Sequence, residues 1–156
     1  MPPQQPYTIT TTRFGKETFA ENERWRENNE WSGCIYGTPI KIKDNIMPNS
    51  NIFVIEMNND ENKIMGIGLI KNTLSMPNKR IYSEGNYNRY TYKGKRRISR
   101  NDLNEEHEKV INILETLLFK GSRHLKRGQG ISELPCWILN NRHIDFMMYF
   151  KQMFNK

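Results

Sequence analysis

Two short apolar runs dominate the hydrophobic pattern of the chain. Residues 52–55 read Ile-Phe-Val-Ile, and Ile64, Met65, Ile67, Leu69 and Ile70 form a second run. Between them, residues 58–62 (Asn-Asn-Asp-Glu-Asn) are polar and rich in turn formers. Two apolar runs joined by such a loop predict a β-hairpin. Neither run alternates strictly, as expected of strands covered on both faces, so the hairpin belongs in the middle of a sheet. Gly66 and Gly68 share one face, where a strand glycine marks a bulge, a bend or the close approach of another group.

Other periodicities predict the remaining elements. Leu103, His107, Val110, Ile111, Leu114, Leu117 and Leu118 recur at helical spacing and predict an amphipathic helix over residues 102–120. Asp102 with Glu105 reads as its capping box and Gly121 as the residue after its C-cap. Residues 143–155 predict a short terminal helix, and residues 17–29, with Phe19 and Trp25, a short polar one. Residues 31–37 predict a strand that Pro39 confines to an edge or splits. Ile40 and Ile42, alternating with Lys41 and Lys43, predict a strand with one wet face. Further strands are expected around residues 80–82, 89–92, 96–98 and 135–139, with a turn at 93–95. Residues 1–12, rich in Pro, Gln and Thr, are expected to be disordered or loosely laid on the surface. The sum is one α+β domain over residues 13–156. Its expected form is a small curved mixed β-sheet or barrel with one long amphipathic helix and a short C-terminal helix.

Composition adds a direction. The chain has 156 residues, 36% of them hydrophobic, enough for one core. Its formal net charge of +7 favours a polyanionic partner, nucleic acid ahead of an anionic membrane surface. Cys34 and Cys136 make neither a disulfide scaffold nor a Cys-x-x-Cys zinc site, which points to a reducing compartment. The N-terminus lacks the apolar stretch of a secretory signal, and no run approaches the ~20 residues of a membrane span. The expected location is therefore intracellular, in cytoplasm or nucleus, with no metal and no cofactor.

Catalytic signatures are missing. There is no phosphate-binding G-x-x-x-x-G-K-[ST] and no G-x-S-x-G elbow. His107, His124 and His143 lack metal-ligand spacing. The pattern disfavours an enzyme and assigns no catalytic residue. It does carry two basic segments. The first holds Arg89, Lys95, Arg96, Arg97 and Arg100 with Tyr90 and Tyr92 between them; the second holds Arg123, Lys126 and Arg127 beside Gly128 and Gly130. Cations neutralise phosphates and release counterions. Interleaved tyrosines stack on unpaired bases at ~1–3 kcal/mol per base. Glycines let backbone N–H groups approach a phosphate. The competing reading is a solvated sheet face with cross-strand tyrosine pairs and an ordinary basic turn. Trp31 precedes the small residues Ser32, Gly33 and Cys34, a run that leaves a slot for a flat ring, although core packing is the commoner fate of a tryptophan.

The order of elements resembles the PUA-like superfamily, above all its EVE and ASCH branches. The matching parts are Trp31 and the strand of residues 31–36, the polar turn of residues 47–50, and FVIEM (53–57) followed by KIMGIGLI (63–70). Gly66-Ile67-Gly68 corresponds to the small-residue segment ending the family's strand pair. The likeness covers residues 31–72, and the long helix after several strands departs from the family's simplest version. The resemblance implies a small curved barrel that binds RNA or reads a modified base, with Trp31, Ser32, Gly33 and Cys34 as pocket residues. The Asn-, Lys- and Ile-rich composition resembles that of small proteins of large DNA viruses. The expected function is a nucleic-acid-binding module for RNA or single-stranded DNA. The alternative is a structural or assembly protein, such as a virion component, whose basic face meets an acidic partner or packaged genome. The pattern leaves oligomeric state open.

Overall fold

In the computed structural model, which describes residues 6–155, the expected hairpin forms from β3 (Asn51–Asn58) and β4 (Lys63–Lys71). It is central to a five-stranded sheet of order β6-β4-β3-β1-β7. The other members are β1 (Tyr7–Phe14), β6 (Arg96–Ser99) and β7 (Ser132–Glu133). β1 runs parallel to β3 and the remaining pairings are antiparallel. The sheet is mixed and is not closed into a barrel, so of the two expected forms the open sheet is the one present. Its edge strands β6 and β7 do not meet. The strands β2 (Cys34–Thr38) and β5 (Tyr90–Gly94) form a separate two-stranded ribbon instead of closing the gap.

β3 is apolar on both faces because both are covered. Phe53, Ile55 and Met57 enter a core with Ile111, Leu114 and Leu118 of α2 (Glu105–Phe119) and Phe146 and Phe150 of α4 (Phe146–Phe154). Ile52 and Val54 point the other way. They pack with Phe19 of α1 (Lys16–Asn28), with Ile35 and Tyr36 of the ribbon, and with Tyr92. Each such apolar side chain contributes about 1.5–3 kcal/mol on burial. A bulge reconciles β4 with this arrangement. Glu56 pairs with Gly66 and Met57 with Ile64, which leaves Met65 over. The extra residue lets Ile64 and Ile67, three apart, both enter the helix-side core, while Gly66 and Gly68 face the ribbon.

Several expectations give way. The segment expected to be loose, residues 1–12, carries most of β1 from Tyr7 onward, and residues 1–5 lie outside the described residues. Thr10, Thr11 and Thr12 are buried there, and the Thr10 hydroxyl donates to the Phe53 carbonyl at 2.9 Å. Residues 40–43 form no strand: Ile42 is buried, Ile40 is exposed, and the alternation belongs to a loop. Residues 80–82 form none either, because Ile81 and Tyr82 give their N–H groups to Asn88 Oδ1. Residues 93–95 do not turn a hairpin. The chain crosses there from the ribbon to the main sheet, since β5 pairs with β2 and β6 with β4. Residues 136–139 form the helical turn α3 (Cys136–Leu139) after Pro135, and the sheet position goes to Ser132–Glu133. Helix α2 starts later than expected. Its N-cap is Asn104, whose side chain accepts from His107 N at 2.7 Å, and Asp102 sits in a preceding 3-10 turn. Gly121 follows the C-cap Lys120 at φ +82°, as its place in the sequence implies. Among the described residues no helix is long and apolar enough to cross a membrane.

Candidate functional site

β1 and β3 are parallel and end together, with Phe14 opposite Asn58. The chain leaving β1 turns at Gly15 straight into α1, and the chain leaving β3 makes the turn of residues 59–62. Outside the carboxyl ends of these two strands lies a cleft of about 710 Å³. Its third wall is the basic glycine loop of residues 126–130, stitched to the strand ends. Arg13 Nε donates to the Leu125 carbonyl at 2.8 Å, and Asn59 Nδ2 donates to the Lys126 carbonyl at 2.8 Å. Gly128 lies against the Arg13 guanidinium, where a Cβ has no room. The fourth wall holds Tyr82 and Tyr87, edge to face at 6.2 Å, with Tyr87 41% exposed.

The charges in this cleft are unevenly matched. Arg13 also donates to the carbonyls of Thr11 and Gly130 and to Ser132 Oγ, so its partners are all neutral. Among the described residues no carboxylate pairs with it. Burial lowers its pKa to about 10, which still leaves it charged at neutral pH. Lys16 and Lys126 line the same cleft, as do Glu17 and Asp60. Asp60 Oδ2 accepts from the Lys16 backbone N–H at 2.7 Å, so a carboxylate rests on the first turn of α1, where the helix dipole favours an anion.

A second polar cluster lies under the ribbon. Glu56 is only 2% exposed and takes Arg97 through two bonds, Nε at 2.9 Å and Nη2 at 2.6 Å, while the Tyr36 hydroxyl donates to it at 2.6 Å. Gly66 abuts the Arg97 guanidinium, and Gly68 abuts the Tyr36 hydroxyl and Cys34 Sγ. The glycine pair therefore makes room for this cluster. Beside it, Asn22 Nδ2 donates to the Ile35 carbonyl and to the Tyr82 hydroxyl, and Arg26 Nε donates to Asn22 Oδ1. Burial and then Glu56 push the Cys34 thiol up to about 12, the condition of an inert cysteine rather than a nucleophile. Burial likewise raises Tyr36 well above its ordinary value. The cluster holds β2 and β6 onto the sheet.

The residues expected to bind nucleic acid are dispersed. Arg127 is exposed on the glycine loop, and Arg123 stacks over Trp137 at 5.2 Å. Arg89 is exposed beside the half-buried ring of Tyr90, with Lys41 on the same ring. Ile40, next to Lys41, abuts Gly130, so Arg89 and Tyr90 lie on the glycine-loop side. Tyr92 is 2% exposed and its hydroxyl accepts from Ile42 N, so it offers no stacking face. Arg97 is consumed by Glu56. Arg100 is consumed by Glu108 and Glu115, with further bonds to Asn112 and the Ile64 carbonyl. Lys95 is exposed. Arg96 bonds the Phe154 carbonyl and lines a different cleft of about 700 Å³ with Tyr7 and Lys151. Tyr7 and Phe14 are opposite ends of β1, roughly 23 Å apart at about 3.3 Å per residue. Arg96 and Lys126 are thus not neighbours, and of the first basic segment Arg89 and Tyr90 fall on the side of the second while Arg96 does not.

The residues of the expected base pocket contact one another and β5. Trp31 Nε1 donates to the Cys34 carbonyl at 3.0 Å, and Lys93 covers its ring at 4.0 Å. Gly33 packs on the backbone of Gly94 and Lys95, Cys34 is buried and Ser32 is exposed. Sequence reasoning missed Arg13 and Lys16. The available signal was Arg-Phe-Gly-Lys directly after a threonine run, a strand that ends in glycine and enters a helix. Among the described residues no group of three or more His, Cys, Asp or Glu is placed to hold a metal. Comparison with protein-family models, curated proteins and solved structures gives no match.

Proposed function

We propose that the protein is a nucleic-acid-binding module that takes RNA or single-stranded DNA, with the cleft at the ends of β1 and β3 as its phosphate contact. The observation that carries this reading is Arg13, a guanidinium charge met by neutral partners alone, in a cleft lined also by Lys16 and Lys126 and by Glu17 and Asp60. Tyr87 supplies an exposed ring at the same mouth, and Arg89, Tyr90, Lys41 and Arg127 extend the cationic surface beyond it. The net charge of +7 supplies the long-range attraction. Residues 31–34, held by their own contacts to β5, lie outside this cleft.

The test is fluorescence anisotropy with a labelled single-stranded RNA and its DNA counterpart, over a salt series. The parent should bind at low salt, with log affinity falling linearly against log salt. Reversing Lys126 and Arg127 to Glu should weaken binding about ten-fold or more and flatten that slope. Reversing Lys95 and Arg96, at the far end of β1, should have little effect. An absence of binding at low salt, or equal sensitivity to both pairs of reversals, would overturn the proposal. The first of these outcomes favours the structural or assembly protein.

A further inference from the structure

Resting on that reading, we infer that the cleft takes the end of a strand, and that its preferred ligand is a terminal phosphate monoester. The first support is closure. A strand bound through its middle needs a groove open at both ends. Here the glycine loop is tied to the strand ends by Arg13 on Leu125 and by Asn59 on Lys126, and Gly128 packs onto Arg13. This stitching walls the cleft on the side of the glycine loop. The cleft volume of about 710 Å³ falls within the range of small-molecule sites, about 300–1,000 Å³, and suits a nucleotide or two rather than a duplex.

The second support is charge. An internal phosphodiester carries one negative charge, whereas a terminal phosphate carries about −1.5 to −2 near pH 7. Arg13 brings a positive charge that no carboxylate of the described residues meets, and Lys16 and Lys126 line the same cleft with Glu17 and Asp60, one positive charge in excess. The Asp60 carboxylate on Lys16 N is an internal oxyanion in the same cleft, borne on an exposed turn residue. An entering phosphate displaces it, and the negative charge of Asp60, which opposes a dianion more than a monoanion, holds back part of the preference for a monoester.

The experiment uses one internally labelled single-stranded 12-mer in three forms: 5′-phosphorylated, 3′-phosphorylated, and hydroxyl at both ends. Anisotropy titrations at one salt concentration should show at least one phosphorylated form binding about ten-fold tighter than the hydroxyl form, and the two arms identify which end enters. Lys16→Gln should collapse that ratio towards one. Asp60→Asn should widen it about two- to five-fold, the effect of one charge at a helix N-terminus. Equal binding of all three forms would overturn the end-selective inference while leaving nucleic-acid binding standing. A parent that binds none of the three would overturn both. A ratio unaffected by Lys16→Gln and by Asp60→Asn would remove this cleft as its source.

Discussion

Separating Glu56 from Arg97 should unfold much of what the ribbon holds in place. The carboxylate is 2% exposed and the guanidinium side chain 9%, so neither is rescued by solvent. Arg97→Met deletes two charge-assisted bonds and leaves a buried carboxylate with only the Tyr36 hydroxyl. Breaking such a pair from one side costs about 3–5 kcal/mol. Glu56→Leu should cost about as much, because it strands the guanidinium and the tyrosine hydroxyl together. The double variant removes both charges, and apolar replacement of a buried pair is often close to neutral. What remains is the Tyr36 hydroxyl without an acceptor, about 1–3 kcal/mol, which adding Tyr36→Phe should recover. Urea unfolding at pH 7, followed by tryptophan fluorescence and far-UV circular dichroism, measures all four corners and shows whether m stays constant. The expected pattern is strongly non-additive, with the double variant more stable than either single one. Additive losses, or a single variant that loses under about 1 kcal/mol, would show that water reaches the pair and refute the argument.

Two further outcomes are expected. Ile67→Ala removes a fully buried side chain between β4 and the helices and should cost about 2–5 kcal/mol in a thermal or urea melt; a melt matching the parent would take Ile67 out of the core. Alkaline pH should destabilise the fold. Burial raises Cys34 from its ordinary 9.0 to about 12 and raises Tyr36 and Tyr92 as well, so the folded chain keeps protons that the unfolded chain loses. This contribution is complete below about pH 9 and is lost as pH climbs towards about 12. Arg13, lowered to about 10, partly offsets it at the top of that range. The urea midpoint should therefore fall over this window, and at pH 9 an alkylating reagent should label the exposed Cys136 and spare Cys34. A midpoint that rises with pH would reverse the sign of the argument.

The parts of the fold legible in the sequence were those whose side chains have one possible fate. Ile52 to Ile55 cannot all be buried on a one-sided strand, so a central position followed. Leu114 and Leu118 can share a core with Val110 and Ile111 only on a helix. Thr10 to Thr12 have two fates. A threonine hydroxyl is content in water, but it is also satisfied inside a sheet once it bonds a carbonyl, as Thr10 does with Phe53, and this hid β1. Residues 136–139 are too few for periodicity to separate a strand from a single helical turn. Ile40 and Ile42 alternate by chance of loop geometry, with Ile42 anchored through its backbone to the Tyr92 hydroxyl.

The site was harder to read because charge in a sequence has no direction. Arg96 and Arg97 are adjacent and equally basic, yet neighbours on a strand face opposite sides. Arg97 lies in register with Gly68, where the missing side chain leaves space, and one strand further in stands Glu56, the only acid in its run. An acid in an apolar strand must be paired, and a glycine pair on the adjoining strand marks where the partner enters. Glu56 and the glycine pair together thus draw Arg97 off the surface. Arg13 lies in a strand of buried threonines, and the carbonyls of Thr11, Leu125 and Gly130 with the Ser132 hydroxyl satisfy its N–H groups but not its charge. Hydrogen bonds to neutral acceptors orient a guanidinium without neutralising it. The charge of Arg97 is met inside the fold by Glu56, whereas the charge of Arg13, at the carboxyl end of β1, is met by no carboxylate of the described residues.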